Sequence, residues 1–346
     1  MKDFKNKVVF ITGGASGAGF GQAQIFSEAG AKVVIADVRD DHLETVKKYF
    51  DEKGAPAHVI KLDVTDRKGW AAAAEETEKV FGVPDVLVLT AGVNVFGPAE
   101  ATTFDDYDWV MGVCLGGVIN GLVTFVPKMI KAGGQRHIGA TVSYGAFVAG
   151  GTTAPYTAAK VAVLSLLESY WQQLKAYNIG VTALCPANIN SNIWDSALKT
   201  RPKELSNTGY NVTDKGQNFL ASIHKNGMDP RVLANWLKEA IENEQFLCLP
   251  YKHAEAMVRS EHSRWIDYAT LGGQKLAELR PTLNLPQSKL DLEIMMEREG
   301  TSMMGAPPPV EGQEAPPVAF GQFDTGGFAM ANANIDYVKE EKKYKK

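Results

Sequence analysis

Val8-Val9-Phe10-Ile11-Thr12-Gly13-Gly14-Ala15-Ser16-Gly17-Ala18-Gly19 is the stretch that decides the fold. Its first half is a short β-branched and aromatic run without a polar face, the pattern of a strand buried on both sides. Its second half is all glycine and small residues and leads directly into a helix-length segment. A strand that turns on glycines into a helix leaves bare backbone N–H groups at the helix N-terminus, where the dipole is positive and an anion is stabilised. Many tight turns carry glycines, so the motif gains meaning only from what surrounds it.

Outward from this stretch, strand-like runs recur at Lys32 to Ala36, His58 to Leu62, Val86 to Leu89, His137 to Ser143 and Val181 to Leu184. Amphipathic helix-length segments lie between them, among them Asp41 to Lys53 and Arg67 to Phe81, then the longer Asp105 to Ala132 and Pro155 to Tyr177. Strict alternation of the two periods predicts right-handed βαβ units and an α/β fold, a doubly wound parallel sheet of the Rossmann type. A helix over Pro230 to Asn243 and a last strand over Phe246 to Pro250 complete the sheet region, residues 1–250.

Between 190 and 226 the chain is polar and rich in Ser, Asn and Gly, and reads as a lid. Residues 251–300 read as a helical extension. Residues 301–346 are rich in proline and glycine, as in Ala306-Pro307-Pro308-Pro309, and such a segment cannot build a core alone. Its Phe320, Phe323, Phe328 and Met330 predict a tail that docks into grooves.

The chain has 346 residues, 45% hydrophobic and 22% charged, with a formal net charge of -4. That balance gives no electrostatic footprint for nucleic acid, and no apolar run reads as a membrane span. The basic end, Lys339 to Lys346, is mixed with Glu340 and Glu341 and reads as a solvated face. Cys114, Cys185 and Cys248 form neither a disulfide framework nor a metal-ligand pattern. With the first strand starting near Lys7 and no room for a signal peptide, a reducing cytoplasm is expected, and no metal.

Asp37 stands at the end of the second strand. Following a glycine-rich strand–turn–helix, an acid there suits a dinucleotide: its carboxylate can accept both ribose hydroxyls and would repel a 2′-phosphate. This points to NAD over NADP. Arg39 is the opposing signal, since a neighbouring guanidinium could bind that phosphate, and a plain turn role for Asp37 stays open. Asp63 ends the third strand on the same edge, where it could bond adenine or serve the turn.

Tyr156 and Lys160 are four residues apart at the start of a long helix and so share a face. A phenol is a poor base at neutral pH, but a cation beside it stabilises the phenolate. Ser143 precedes them at the end of its strand, where its hydroxyl can emerge at the carboxyl edge that binds ligands in this architecture.

Taken together, the glycine pattern Thr12 to Gly19, Asp37, Asp63, Thr90-Ala91-Gly92, Ser143, Tyr156, Lys160 and Pro186 to Ser191 resemble the short-chain dehydrogenase/reductase family over about Lys7 to Pro250. The resemblance implies that Tyr156 is the acid/base, that Lys160 holds the nicotinamide ribose and lowers the tyrosine pKa, and that Ser143 orients the substrate oxygen. It implies cofactor contacts from Thr12, Gly13, Ser16, Gly17, Gly19, Asp37, Asp63, Val64, Ala91, Gly92, Tyr156, Lys160, Pro186, Ile189 and Ser191, the last to the nicotinamide carboxamide. Two positions depart from the family pattern. Thr90 replaces an Asn, which concerns local strand stability. Cys114 stands where a helix Asn anchors a proton-relay water, and a thiol is a weak partner; Asn120 is out of register with that position.

Phe20-Gly21-Gln22-Ala23, Ala91-Gly92-Val93-Asn94, Val118-Ile119-Asn120-Gly121 and Pro186-Ala187-Asn188-Ile189 are similar to one branch, the bacterial dehydrogenases that oxidise the benzylic Cα alcohol of lignin-type β-aryl ethers with NAD. Trp194, Tyr210 and Phe219 in the lid suit aromatic rings or pack within the lid itself. The resemblance implies oxidation of a bulky secondary alcohol, aromatic or alicyclic, to a ketone. The alternatives are a steroid-like or alicyclic alcohol, or a weakly catalytic NAD-binding regulatory protein. Relatives associate through the helices over Asp105 to Ala132 and Pro155 to Tyr177, so a homodimer or homotetramer is expected.

Overall fold

The computed structural model describes residues 1–149, 152–208, 221, 224–251 and 258. Seven parallel strands form one sheet: β1 (Val8–Thr12), β2 (Lys32–Asp37), β3 (Ala57–Lys61), β4 (Val86–Leu89), β5 (Arg136–Thr141), β6 (Ile179–Leu184) and β7 (Leu247–Cys248). Their order is β3-β2-β1-β4-β5-β6-β7. The chain winds outward from β1 in one direction, then returns to β4 and winds the other way. The strand order therefore reverses between β1 and β4, and a crevice opens at their carboxyl ends.

Helices cover both faces: α1 (Gly17–Glu28), α2 (Asp40–Lys53), α3 (Arg67–Val80), α4 (Phe104–Met111), α5 (Gly117–Ala132), α6 (Ala154–Leu174), the one-turn α7 (Ser196–Lys199) and α8 (Pro230–Glu242). Because both faces are covered, alternate residues of β1 feed two separate cores. Val8 and Phe10 pack with Trp70, Leu122, Phe125 and Met129, while Val9 and Ile11 pack with Phe26, Val46, Leu233 and Leu237. Local chemistry starts the helices where the chain needs them. Asp66 caps α3 by accepting the Lys68 N–H, and Asp229 caps α8 just ahead of Pro230. Thr103 and Asp106 close a reciprocal capping box on α4.

Several boundaries differ from the sequence reading. The strand expected to end on Ser143 ends at Thr141, and Ser143 instead caps a 3₁₀ turn, Tyr144–Ala146. The helix expected over Asp105 to Ala132 is α4 and α5 joined through a π segment, Gly112–Gly116. The last strand is shorter than Phe246 to Pro250. The stretch Phe104–Ala132 does reach membrane-spanning length and apolarity, contrary to the sequence reading, but most of its apolar window is buried within this fold. Apart from Tyr251 and Val258, the expected helical extension (251–300) and the tail (301–346) lie outside the described residues, as do Tyr210 and Phe219.

Candidate active site

One cavity of about 640 Å³ opens at the switch point. Its floor is the glycine turn after β1. Gly13 has φ +61°, and a Cβ there would lie 2.8 Å from the Ala91 Cα. Gly17 has φ +46°, and a Cβ would lie 2.8 Å from that of Ser191. Side chains at either place would collide with backbone or wall, so the turn keeps bare N–H groups at the foot of α1.

Thr12 does not line the cavity, unlike the other expected cofactor residues. Its hydroxyl is buried and accepts the N–H groups of Thr90 (3.0 Å) and Ala91 (3.2 Å), so it shapes the wall instead of touching a ligand. Thr90 donates to Gln22 Oε1 (2.7 Å) and lies 2.8 Å from Thr141 Oγ1, which also accepts from Gln22 Nε2 (3.3 Å). The Thr90 proton goes to Gln22, so the Thr141 hydroxyl donates to Thr90. The carboxyl ends of β1, β4 and β5 are thereby tied to the middle of α1 in one polar knot.

Asp37 lines the cavity at the end of β2. Its carboxylate accepts the N–H groups of Ala15 and Arg39, each at 3.1 Å. The turn role and the cavity-facing position thus coexist in one residue. Arg39 is engaged elsewhere: it forks onto Asp41 (3.1 and 2.6 Å) and lies 3.9 Å from Asp195. Asp63 holds the next turn by accepting from Thr65 N (2.9 Å) and Oγ1 (2.8 Å), and it too faces the cavity. The Val64 carbonyl accepts from both Trp70 Nε1 and Asn120 Nδ2 at 2.9 Å, which fixes that wall and gives Asn120 a structural role.

Across the cavity stand Ser143, Tyr156 and Lys160, brought to the same wall as Gly92, Pro186, Ile189 and Ser191. Lys160 is 3% exposed, and its ammonium donates to the Thr141 carbonyl (2.7 Å) and lies 5.4 Å from the Tyr156 ring centroid. Ser143 Oγ accepts the Gly145 N–H (3.0 Å), which fixes its rotamer. Burial pushes the Tyr156 phenol up from its ordinary pKa, while the Lys160 charge and a hydrogen bond from Ser143 pull it down.

Cys114 lies in the π segment with its thiol fully engaged: Sγ donates to the Val93 carbonyl (3.2 Å) and accepts the Val93 N–H (3.4 Å). Burial pushes the thiol pKa up, so it stays neutral and serves as a clip between helix and wall.

Sequence reasoning missed part of the wall. Asn94, Phe96, Trp109, Leu205 and His224 line the cavity, whereas Trp194 does not. Trp109 is the one that carried a local signal, because the Thr103–Asp106 capping box sets the phase of α4 and turns Trp109 inward. The rim is latched from a distance. Arg201 pairs with fully buried Asp106 (2.7 Å), lies 5.2 Å from the Trp109 ring, and donates to the Leu205 carbonyl.

A family model described as short chain dehydrogenase matches residues 7–202. A C alpha-dehydrogenase from Sphingobium sp. is 47% identical over 269 residues, covering 75% of this chain and 88% of the relative. The apo structure of LigD from Sphingobium sp. strain SYK-6 superposes with a TM-score of 0.64 at 42% identity, covering 77% of this chain and 98% of that one. A short chain dehydrogenase/reductase from Burkholderia phymatum in complex with NAD gives a TM-score of 0.72 at 29% identity, covering 76% and 95%.

Proposed function

Since the chain belongs to the short-chain dehydrogenase family and is an NAD-dependent oxidoreductase of secondary alcohols, we propose that it oxidises the benzylic Cα alcohol of a lignin-type β-aryl ether to the ketone. The observation that carries this reading is the placement of Ser143, Tyr156 and Lys160 in one cavity with Asp37 and the glycine turn, beside an aromatic wall of Phe96 and Trp109. The relative's name, C alpha-dehydrogenase, points the same way.

The residues fit NAD by their own chemistry. Gly13 and Gly17 leave a cradle that any Cβ would fill, and Asp37 stands where ribose hydroxyls need an acceptor. Asp63, Val64, Ala91, Gly92, Pro186, Ile189 and Ser191 would line the remainder of the bound dinucleotide. When bound, NAD supplies the hydride acceptor and a positive ring. Ser143 Oγ holds the substrate hydroxyl in place, and the Tyr156 phenolate takes its proton. Lys160, fixed on the end of β5, stabilises that phenolate and holds the cofactor ribose.

The test is NADH formation by the purified protein with each stereoisomer of a β-aryl ether dimer, set beside a panel of alicyclic and steroid-like alcohols. Turnover of the panel with none from any dimer isomer would overturn the aryl ether reading. We further propose a cytoplasmic homo-oligomer. Exposed Ile119 and Val123 on α5 and Val161 on α6 support association, and the three buried free thiols suit a reducing compartment. A 37.5 kDa particle by light scattering would reject association.

A further inference from the structure

Among the described residues lining the cavity, Asn94 holds a buried polar atom beside the apolar cluster against which Tyr156 packs. It is 7% exposed, and its Oδ1 is buried without a hydrogen-bond partner. Its backbone N–H points at Ser196 Oγ (3.4 Å), but the carboxamide oxygen is left over. A buried carbonyl oxygen without a donor is costly, and native structures rarely keep one without reason. Its chain neighbours Val93 and Val95 are buried in an apolar cluster with Trp109 and Cys114, against which Tyr156 packs.

Its place in the fold is close to the chemistry. A Cβ on Gly92 would lie 3.7 Å from Lys160 Nζ, and Asn94 follows two residues later, at most about 7 Å along the chain. The catalytic set accounts for one substrate oxygen, the carbinol bound by Ser143 and Tyr156. A second hydroxyl carried into this apolar part of the cavity would need its own partner, and a carboxamide can both donate to a hydroxyl and accept from it.

We infer that Asn94 is a specificity-determining residue that binds a second hydroxyl of the substrate, one or two carbons from the carbinol. In a β-aryl ether this is the hydroxymethyl group on the carbon that bears the ether oxygen. The inference rests on the proposed substrate class and names the part of that substrate the enzyme reads. A site built to bond a hydroxyl discriminates strongly against an analogue without it, because the buried group is then unpaired again.

The test uses two substrate pairs: a β-aryl ether with and without the hydroxymethyl group, and a 1-aryl-1,3-propanediol with its 1-aryl-1-propanol. The wild-type enzyme should favour the hydroxylated member of each pair by tenfold or more in kcat/KM. Asn94→Leu should lose that preference while holding the rate on the simpler member, the affinity for NAD and the melting temperature. Asn94→Ser serves as the second variant if Leu does not fold. An equal fall on both members, a lowered melting temperature in both variants, or a wild-type enzyme indifferent to the hydroxyl would each overturn the inference. Turnover of the propanediol pair without turnover of any β-aryl ether would instead overturn the proposed substrate and leave the Asn94 comparison readable.

Discussion

Replacing Asp37 by Asn keeps the size of the side chain and removes one negative charge from the cofactor cavity. The charge balance there decides between NAD and NADP. Arg39 is the cation that could favour a 2′-phosphate, but three carboxylates face it: Asp37 through its backbone N–H, Asp41 in a two-pronged pair, and Asp195 at 3.9 Å. The hydrogen bond from Arg39 holds Asp41 at a pKa of about 2, so that pair stays ionised through the working pH range. One cation against three anions leaves a negative pocket. A phosphate about 5 Å from the Asp37 carboxylate would meet roughly 3 kcal/mol of repulsion per unit charge at an effective dielectric of about 20. Solvent at the cavity mouth reduces this, so the discrimination to expect is at least about 1.4 kcal/mol, or tenfold in kcat/KM for NAD over NADP.

Asp37→Asn should cut that ratio by about tenfold. Some loss with both cofactors is expected as well, since the carboxylate also accepts the Ala15 N–H in the glycine turn. Asp41→Ala, which frees Arg39 without touching Asp37, should improve NADP alone. The assay is kcat/KM for each cofactor with one alcohol at two ionic strengths, and the wild-type preference should shrink at high salt. A ratio unchanged in Asp37→Asn, or equal use of both cofactors by the wild type, would refute the argument and give control of the pocket to Arg39.

Tyr156→Phe should lower kcat by about 10²–10⁴ and leave NAD affinity by calorimetry unchanged, since only the proton acceptor is lost; retention of more than a few per cent of the rate would remove Tyr156 from the mechanism. Lys160→Ala should weaken both NAD binding and rate. It should also move the rising limb of the pH–rate profile to higher pH, because the charge that opposes burial at the phenol is gone; a limb that stays in place would separate Lys160 from the tyrosine. His137 is pushed down to about 3, first by burial and then by the N-terminal charge, and its Nε2 lies 2.8 Å from Thr182 Oγ1. The unfolded chain therefore binds a proton between pH 6.5 and 3 that the folded protein refuses, so stability is full above pH 6.5 and falls below it, by up to about 5 kcal/mol near pH 3. Denaturant titrations across that range should show this slope, and His137→Gln should flatten it. Arg201→Ala leaves the fully buried Asp106 carboxylate without its cation, for a loss of about 3–5 kcal/mol and a raised KM for bulky alcohols; an unaltered melting temperature and KM would mean the pair is idle.

These perturbations divide along the line between what is local in the chain and what is not. The sheet could be read because the first six strands declare themselves within four to six residues each, and the glycine turn, Asp37 and Ser143 sit at strand ends that the alternation already marks. Ser143 shows the limit of that reading. Its strand stops two residues early, although Val142 and Tyr144 still donate to the Leu184 and Pro186 carbonyls, because Ser143 turns to cap the 3₁₀ turn. The π segment gave no local sign at all. Its Cys114 is held by the backbone of Val93, twenty-one residues earlier.

The substrate wall was the least legible part, for a physical reason. Aromatic composition in the lid says that rings are available but not which way they face. Trp194 sits in a short 3₁₀ turn whose neighbours Ile193 and Asp195 face the cavity, so its own side chain is carried off the wall. Trp109 faces the cavity because a capping box fixes the start of its helix and Arg201, ninety-five residues beyond Asp106, closes over it. Neither partner of that buried pair is unusual alone, since an acid in a first helical turn and an arginine in a polar loop both read as surface. Only the fold makes them a latch, and only the latch places Leu205 and Trp109 on one wall. Specificity for a bulky alcohol should accordingly respond to substitutions at Arg201 and Asp106 that touch no substrate atom, while cofactor choice should not.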